Sequence, residues 1–408
     1  LSARVHSRYH PDMQLAQRIK SIKPSPTLAL NARAKALAAQ GVDVAGFVAG
    51  EPDFDTPEFI KQAAIDSLKA GFTKYTPTAG IPELREAICA KLQRDNQLTY
   101  APDQVLVSVG AKHSLYNIFQ ALLNEGDEVI IFTPYWVSYP DMVLLAGGKP
   151  VFIETREENG FAPDPEAIRR ALTPRTRAVV INSPSNPSGA VFSRAALEGI
   201  AAAVRGHDCL IISDDIYEKL LYQGEFLNIA NVAPDLFPRL VVVNGMSKAY
   251  SMTGWRLGYA AGPKPLISGM QMIQDQSTSN PTSMVQKGAV AALKGPTEFI
   301  TKMVEEFRAR RELIVSGLNA LDGVRCRTPE GAFYVFPDVR GLLGRTYKGA
   351  PVGTSSRLSE ILLDDFRVAV MPGAPFGAEG FLRLSFATSR EVIQKGLGRM
   401  RDFVAALS

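Results

Sequence analysis

Six short, almost uninterrupted apolar runs recur between residues 104 and 262: Gln104–Val109, Glu128–Phe132, Pro150–Ile153, Ala178–Ile181, Leu210–Ser213 and Leu240–Val243. Strands read this way, without polar alternation, when helices cover both faces of a parallel sheet. Segments between the runs carry apolar residues at helical spacing, as in Leu115, Ile118, Phe119 and Leu122 after the first. The chain is therefore expected to be α/β, with a mainly parallel sheet covered by helices. Ligands of such sheets bind beyond the carboxyl ends of the strands, so the residues just after each run are where chemistry is to be sought.

The last run leads through Asn244-Gly245-Met246 to Ser247 and Lys248. An amine at the end of a buried strand loses hydration, which lowers its pKa and makes it a nucleophile. Arg256, eight residues on, adds a planar cation beside the Ser247 hydroxyl, a pairing suited to a phosphate monoester. An aldehyde cofactor with a phosphate tail would use both features.

Other strand ends carry signals that are weaker singly. Gly110 and Ala111 stand at a strand-to-helix turn, where backbone N–H groups attract phosphate, although such a glycine also serves a plain turn. Trp136 follows the second run and can stack on a planar heterocycle or pack under a loop. Asn186 lies between Pro184 and Pro187 in a segment dense in turn-formers, which reads as a loop or as a stiffened amide aimed at a ligand. Asp214 ends the fifth run, where it caps a helix or meets a protonated ring nitrogen, with Tyr217 within reach of the same ring. Arg383 sits alone in the alternating strand Phe381–Phe386 and needs a carboxylate, internal or brought by substrate.

Composition excludes several classes. The 45 basic and 41 acidic residues leave a net charge of +4 spread along 408 residues, which implies neither a nucleic-acid nor a membrane surface. Cys89, Cys209 and Cys326 have no paired spacing, so no structural metal site is expected and a reducing, cytoplasmic setting is. No apolar run is long enough to span a bilayer, and Leu1–Lys20 is polar rather than signal-like. Beyond the sheet, residues 297–321 read as a long helix leaving the core. Strands near 331–336 and 367–371, a helix near 355–365 and a strand–helix pair from Phe381 follow it. These form a smaller α+β domain that the N-terminal segment is expected to join.

The motifs KPSPT (23–27), GEPDFDTP (50–57), KYT (74–76), GIPELR (80–85), PYWVSYP (134–140) and Ser247-Lys248 resemble the class I aminotransferases of the pyridoxal-phosphate fold type I superfamily. The likeness runs from about Ile22 to the C-terminus. It is nearest to the bacterial aspartate aminotransferase subgroup that includes the aspartate/prephenate enzymes. It implies a seven-stranded sheet in a large domain of residues 58–305, flanked by an N-terminal segment 13–57 and a small domain 306–408. It also implies a homodimer with shared active sites.

By the same resemblance Lys248 carries pyridoxal 5'-phosphate covalently, Asp214 pairs with the pyridinium, Tyr217 and Asn186 contact the ring oxygen, and Trp136 stacks on the ring. Ser247, Arg256, Gly110 and Ala111 hold the phosphate, with Tyr75 supplied by the partner. Arg383 clamps the substrate α-carboxylate beside Gly50, and Lys112, Thr27 and Lys23 meet the distal part of an acidic substrate. Ser247 departs from the alanine that close relatives often carry, without harm to a phosphate site. The implied reaction is a ping-pong transfer of an amino group between aspartate or glutamate and 2-oxo acids (oxaloacetate, 2-oxoglutarate, prephenate). An aminotransferase of aromatic or branched-chain specificity and a pyridoxal-phosphate C–S lyase are the alternatives. A regulatory module and a nicotinamide enzyme fit less well, since no basic recognition helix precedes the core and no GxGxxG follows its first strand.

Overall fold

The protein is described by a computed structural model that covers residues 14–24 and 26–408. Ser25 of the KPSPT motif and the polar stretch through Met13 lie outside the described residues.

The apolar runs become the strands of one seven-stranded sheet: β1 (Val105–Ser108), β2 (Glu128–Thr133), β3 (Lys149–Glu154), β4 (Thr176–Asn182), β5 (Leu210–Asp214), β6 (Leu240–Gly245) and β7 (Gly258–Ala261). Their spatial order is β1-β7-β6-β5-β4-β2-β3, parallel except for β7, which runs antiparallel to both β1 and β6. β7 was not among the six runs. Its residues, Gly-Tyr-Ala-Ala, lack the β-branched signature, and the sheet recruits it because Gly258 lets the backbone of Gly110 and Ala111 come close.

Both faces of the sheet are covered, and successive residues divide between two cores. Val105, Val107, Ile130, Val179, Ile211 and Val242 join one; Leu106, Val129, Ile131, Val180, Ile212 and Val243 join the other. A strand whose side chains are buried on both sides has no polar alternation, which is why the runs were legible. Helices α1 (Pro82–Asn96), α2 (Ala111–Leu122) and α3 (Ser138–Leu145) pack around this sheet.

The long helix α4 (Glu298–Asn319) begins against the sheet's core through Ile300 and continues into a second cluster through Met303, Phe307, Ile314 and Leu318. That cluster also holds Ala45 and Phe47, together with the C-terminal helix α5 (Arg390–Ala405). Ala45 and Gly46 pair in parallel with Val368 and Ala369, so the N-terminal segment is stitched to the C-terminal part of the chain.

A strand expected over 331–336 is confined to Tyr334–Val335. Ala332 takes a left-handed backbone, φ 56°, and Gly331 makes only an isolated bridge to Leu221. The strand expected near 367–371 divides into Val368–Ala369 and Met371–Pro372, which serve different sheets. Among the described residues no helix is long and apolar enough to cross a membrane, and no His/Cys/Asp/Glu cluster could hold a metal ion.

Candidate active site

A cavity of about 380 Å³ opens over the carboxyl ends of the central strands. It gathers Thr27, Gly50, Ala111, Lys112, Trp136, Asn186, Asp214, Tyr217, Ser247, Lys248, Arg256 and Arg383, residues from nearly the whole length of the chain. Three of the expected site residues do not line it. Gly110 lies just behind Arg256, Lys23 is exposed near Asp141, and Tyr75 is 93% exposed.

Lys248 follows β6 at the cavity floor. Burial pulls its amine down to about 8, and the nearby Arg383 and Arg256 push the same way against the carboxylates of Glu51 and Asp214. The amine donates to the Gly50 carbonyl and lies 5.9 Å from the centre of the Tyr217 ring. A lysine of this kind stays mainly charged at neutral pH but gives up its proton far more readily than an ordinary lysine, as a carbonyl-attacking amine must.

Asp214, the last residue of β5, faces it. Burial raises its carboxyl to about 6, while the Tyr139 hydroxyl, donating at 2.6 Å, and the Ile216 N–H hold it down. The helix-cap reading of Asp214 fails, since residues 216–219 form only a turn: one oxygen accepts weakly from Ile216 N at 3.4 Å, and the other accepts from Tyr139 at the cavity wall. On the adjacent strand end, Asn182 donates to the Asp214 carbonyl at 3.0 Å and accepts from Asn186 N at 3.0 Å. The loop of Asn186 is thereby fixed to the strand beside it.

Arg383 answers the question that its isolation in the sequence posed. It is 2% exposed, yet among the described residues its guanidinium finds no Asp or Glu and its Nε no partner: Nη1 donates to Asn186 Oδ1 at 3.2 Å and Nη2 to the Val48 carbonyl at 2.7 Å. Its charge lies 4.7 Å from the Tyr334 ring centre and 5.2 Å from that of Phe376. A buried cation compensated by neutral acceptors and ring faces is electrostatically suited to receive an anion.

At the opposite wall Arg256, with a left-handed φ of 53°, is tied to the Thr253 carbonyl at 2.9 Å and passes over Gly110. A Cβ on Gly110, itself at φ 88°, would sit 2.5 Å from Arg256 Nη2. Gly110, the Ala111 N-terminus of α2, Ser247 and Arg256 thus form a cradle of donors with no side chain in its way. Lys112 opens to the cavity mouth with its amine 4.8 Å from the Trp136 ring centre. Crowding by the cavity wall, then Arg256, holds its pKa below the ordinary lysine value. Trp136 itself packs edge-on to Tyr139, 5.3 Å between ring centres, and lines the cavity, so packing and exposure to a ligand are both satisfied.

Tyr139 and Tyr334 are among the residues of this site that were missed. Tyr139 is inside the PYWVSYP motif, but its hydroxyl meets a carboxylate 75 residues away, a contact that only the sheet order creates. Tyr334 lines the cavity and shares a 2.8 Å hydrogen bond with the Tyr217 hydroxyl. No local pattern marked it.

A doubly covered α/β sheet with a lysine amine, a carboxylate, a cradle of hydrogen-bond donors and an arginine without an acid over its strand ends suits an enzyme of carbonyl–amine chemistry. Residues 42–400 match the family described as aminotransferase class I and II, and the chain belongs to that family. The chain is 48% identical to an aspartate/prephenate aminotransferase of Nitrosomonas europaea over 96% of its own length and 100% of that protein's. It is 48% identical to an aspartate aminotransferase of Geobacillus stearothermophilus, with 97% and 100% covered. Its structure is similar to the aspartate aminotransferase of Rhizobium meliloti, with a TM-score of 0.94 and 46% identity over 97% of this chain and 100% of that one. It is similar also to the Thermus thermophilus aspartate aminotransferase solved with maleate, with a TM-score of 0.90 and 46% identity over 96% and 99%.

Proposed function

We propose that this aminotransferase moves amino groups between aspartate or glutamate and 2-oxo acids, oxaloacetate, 2-oxoglutarate and prephenate among them, with pyridoxal 5'-phosphate as cofactor. The observation that carries the reading is one cavity holding a depressed-pKa lysine and, across from it, a buried arginine without an acid. The residues suit that cofactor. The bare Gly110 lets the Arg256 guanidinium lie where a Cβ would push it aside, Asp214 is a costly buried carboxylate that a cationic ring would compensate, and Lys248 is an amine of lowered pKa within the same walls.

Bound through its aldehyde to Lys248, pyridoxal phosphate supplies an electron sink for the charge left on Cα when its proton departs. The chain's own residues do the rest. Asp214 would keep the ring nitrogen protonated, Tyr217 and Asn186 would meet the ring oxygen, and Trp136 would cover one face. Ser247, Arg256, Gly110 and Ala111 would hold the phosphate. Arg383, beside Gly50, would grip the α-carboxylate and so fix which Cα bond stands across the ring plane. The Lys248 amine would act at Cα, as the base that takes its proton and the acid that returns it.

Acidic specificity is supported by Lys112, a cation at the cavity mouth over Trp136, with Thr27 on the same lining and Lys23 nearby on the same N-terminal segment. The Thermus relative was solved with maleate, a dicarboxylate. Tyr75, with its ring in solvent, is available to a second copy of the chain, which supports a homodimer with shared sites. In this reading residues 13–57 and 306–408 form the small domain and 58–305 the large one. The division is favoured by the pairing of Ala45–Gly46 with Val368–Ala369 and by the change of core along α4.

The test is reduction with borohydride after incubation with pyridoxal phosphate, which should fix the cofactor on Lys248 in the wild type and not in Lys248→Ala. Rates with aspartate, glutamate, oxaloacetate and prephenate then rank the substrates. Lys112→Ala should lose activity toward dicarboxylates selectively, and a uniform loss across monocarboxylic substrates would overturn the acidic assignment.

A further inference from the structure

The segment Ser213–Glu218 serves two sides of the structure. Asp214 and Tyr217 line the cavity, whereas Asp215 and Glu218 turn to partners outside it. Glu218, 7% exposed, forms an ion pair with Lys91 of α1, 2% exposed. Asn96 closes the triangle, donating to Glu218 Oε2 at 2.6 Å and accepting from Lys91 Nζ at 2.7 Å. Asp215 accepts from Ser213 Oγ at 2.6 Å and from Asn228 Nδ2 at 2.8 Å. Asn231, in the short helix that Asn228 caps, donates to the Asn96 carbonyl at 2.8 Å, so the two anchors are joined.

Three carboxylates within five residues, all buried, would repel one another and pull this turn out of shape unless each were met. Lys248 stands on the cavity side of the turn, and Lys91 is the cation on the other. A buried ion pair is a poor source of stability, because apolar side chains of similar size often do as well or better. What it supplies is geometry, since a buried charged triangle whose three side-chain oxygens are each met by a donor holds its members in one arrangement.

We propose that Lys91 is a positioning residue for the reaction: through Glu218 and Asn96 it fixes the Asp214–Tyr217 turn from behind, so that carboxylate and hydroxyl meet the cofactor ring in register. The inference rests on the pyridoxal-phosphate reading above. Lys91 touches nothing in the cavity and acts only through its partners. The other charged or titratable groups around the triangle are Asp95, held by Lys219 at 2.8 Å and by Arg94, and the buried phenols of Tyr250 and Tyr259.

The experiment compares wild type, Lys91→Met, Lys91→Arg and the double variant Lys91→Gln/Glu218→Gln, each reconstituted with pyridoxal phosphate. It reads the cofactor dissociation constant, the pH midpoint of the cofactor's visible band, and kcat and KM for aspartate. Lys91→Met should bind the cofactor about tenfold more weakly and shift the midpoint by about half a unit, with kcat lowered more than KM is raised. Lys91→Arg should recover part of the loss. The double variant leaves no unpaired buried charge, so it folds where Lys91→Met fails, and it should show the same shifts. Folded variants with wild-type cofactor affinity and midpoint, or a loss confined to melting temperature, overturn the inference. If the wild type forms no borohydride-fixed adduct at Lys248, the cofactor reading falls and this one with it. An adduct in the wild type with unshifted variants overturns this one alone.

Discussion

The Tyr139 hydroxyl donates to the Asp214 carboxylate across 2.6 Å, at the cavity wall, where both side chains are almost wholly buried. That bond opposes the burial that lifts Asp214 to about 6. Removing it leaves burial less opposed, so the carboxyl rises further and is ionised less at neutral pH. Tyr139→Phe is expected to move the acid limb of the kcat profile to higher pH and to weaken cofactor binding by about tenfold, the scale of one lost charged hydrogen bond. An unmoved acid limb would count against Asp214 as the ring's partner.

Asp214 also affects the stability of the cofactor-free protein. Its folded pKa lies above the ordinary 3.8, so the folded chain holds the proton more tightly. Stability then falls as pH rises from about 4 to about 6, and the full penalty is present at pH 7. Asp214→Asn should therefore stabilise the cofactor-free protein at pH 7 by roughly 2–3 kcal/mol and hardly at all at pH 4. Urea unfolding at the two pH values measures this, and the same variant should be almost inactive.

Lys248 has the opposite sign. With its folded pKa near 8 and the ordinary value at 10.5, the cost of a charged recessed amine is present below pH 8 and is relieved as pH rises toward 10.5. Cofactor-free Lys248→Met should exceed the wild type in stability by roughly 2–3 kcal/mol at pH 7, with a gap that narrows above pH 9. An equal gap at both would show that the amine is not strained by burial.

Arg383 makes two hydrogen bonds to neutral oxygens and none to an acid. Lys cannot reproduce the planar fork, so Arg383→Lys is expected to lower kcat/KM for every amino acid by about a hundredfold. It should leave the cofactor adduct at Lys248 intact. Unaltered kcat/KM would remove Arg383 from the α-carboxylate.

Gly110→Ala places a methyl group 2.5 Å from Arg256 Nη2 on a backbone at φ 88°. Both the strain and the displaced guanidinium act on the phosphate cradle. The expected result is a cofactor dissociation constant raised by about tenfold or more, with the fold retained by circular dichroism.

Much of the architecture was legible because five strands are buried on both faces and announce it in their apolar runs; the edge strand β3, with Phe152 47% exposed, was read from its apolar residues although one side of it meets solvent. β7 escaped, since Gly258 to Ala261 earn their place through close approach to Gly110 and Ala111 rather than through side-chain bulk. The strand read over 331–336 shrank because Ala332 adopts a left-handed backbone, a choice made by tertiary contacts.

By itself the sequence determined the doubly covered sheet, the lysine after β6 and the types of residue at each strand end, because burial and local turn chemistry are written in neighbouring positions. Tertiary structure alone decided that Arg383 meets Asn186, 197 residues away, and no acid; that Tyr139 reaches Asp214; and that Lys91 backs Glu218 across 127 residues. Charge and hydrogen bonding act through space over a few ångströms, and the strand order, not the order of residues, sets which groups come that close.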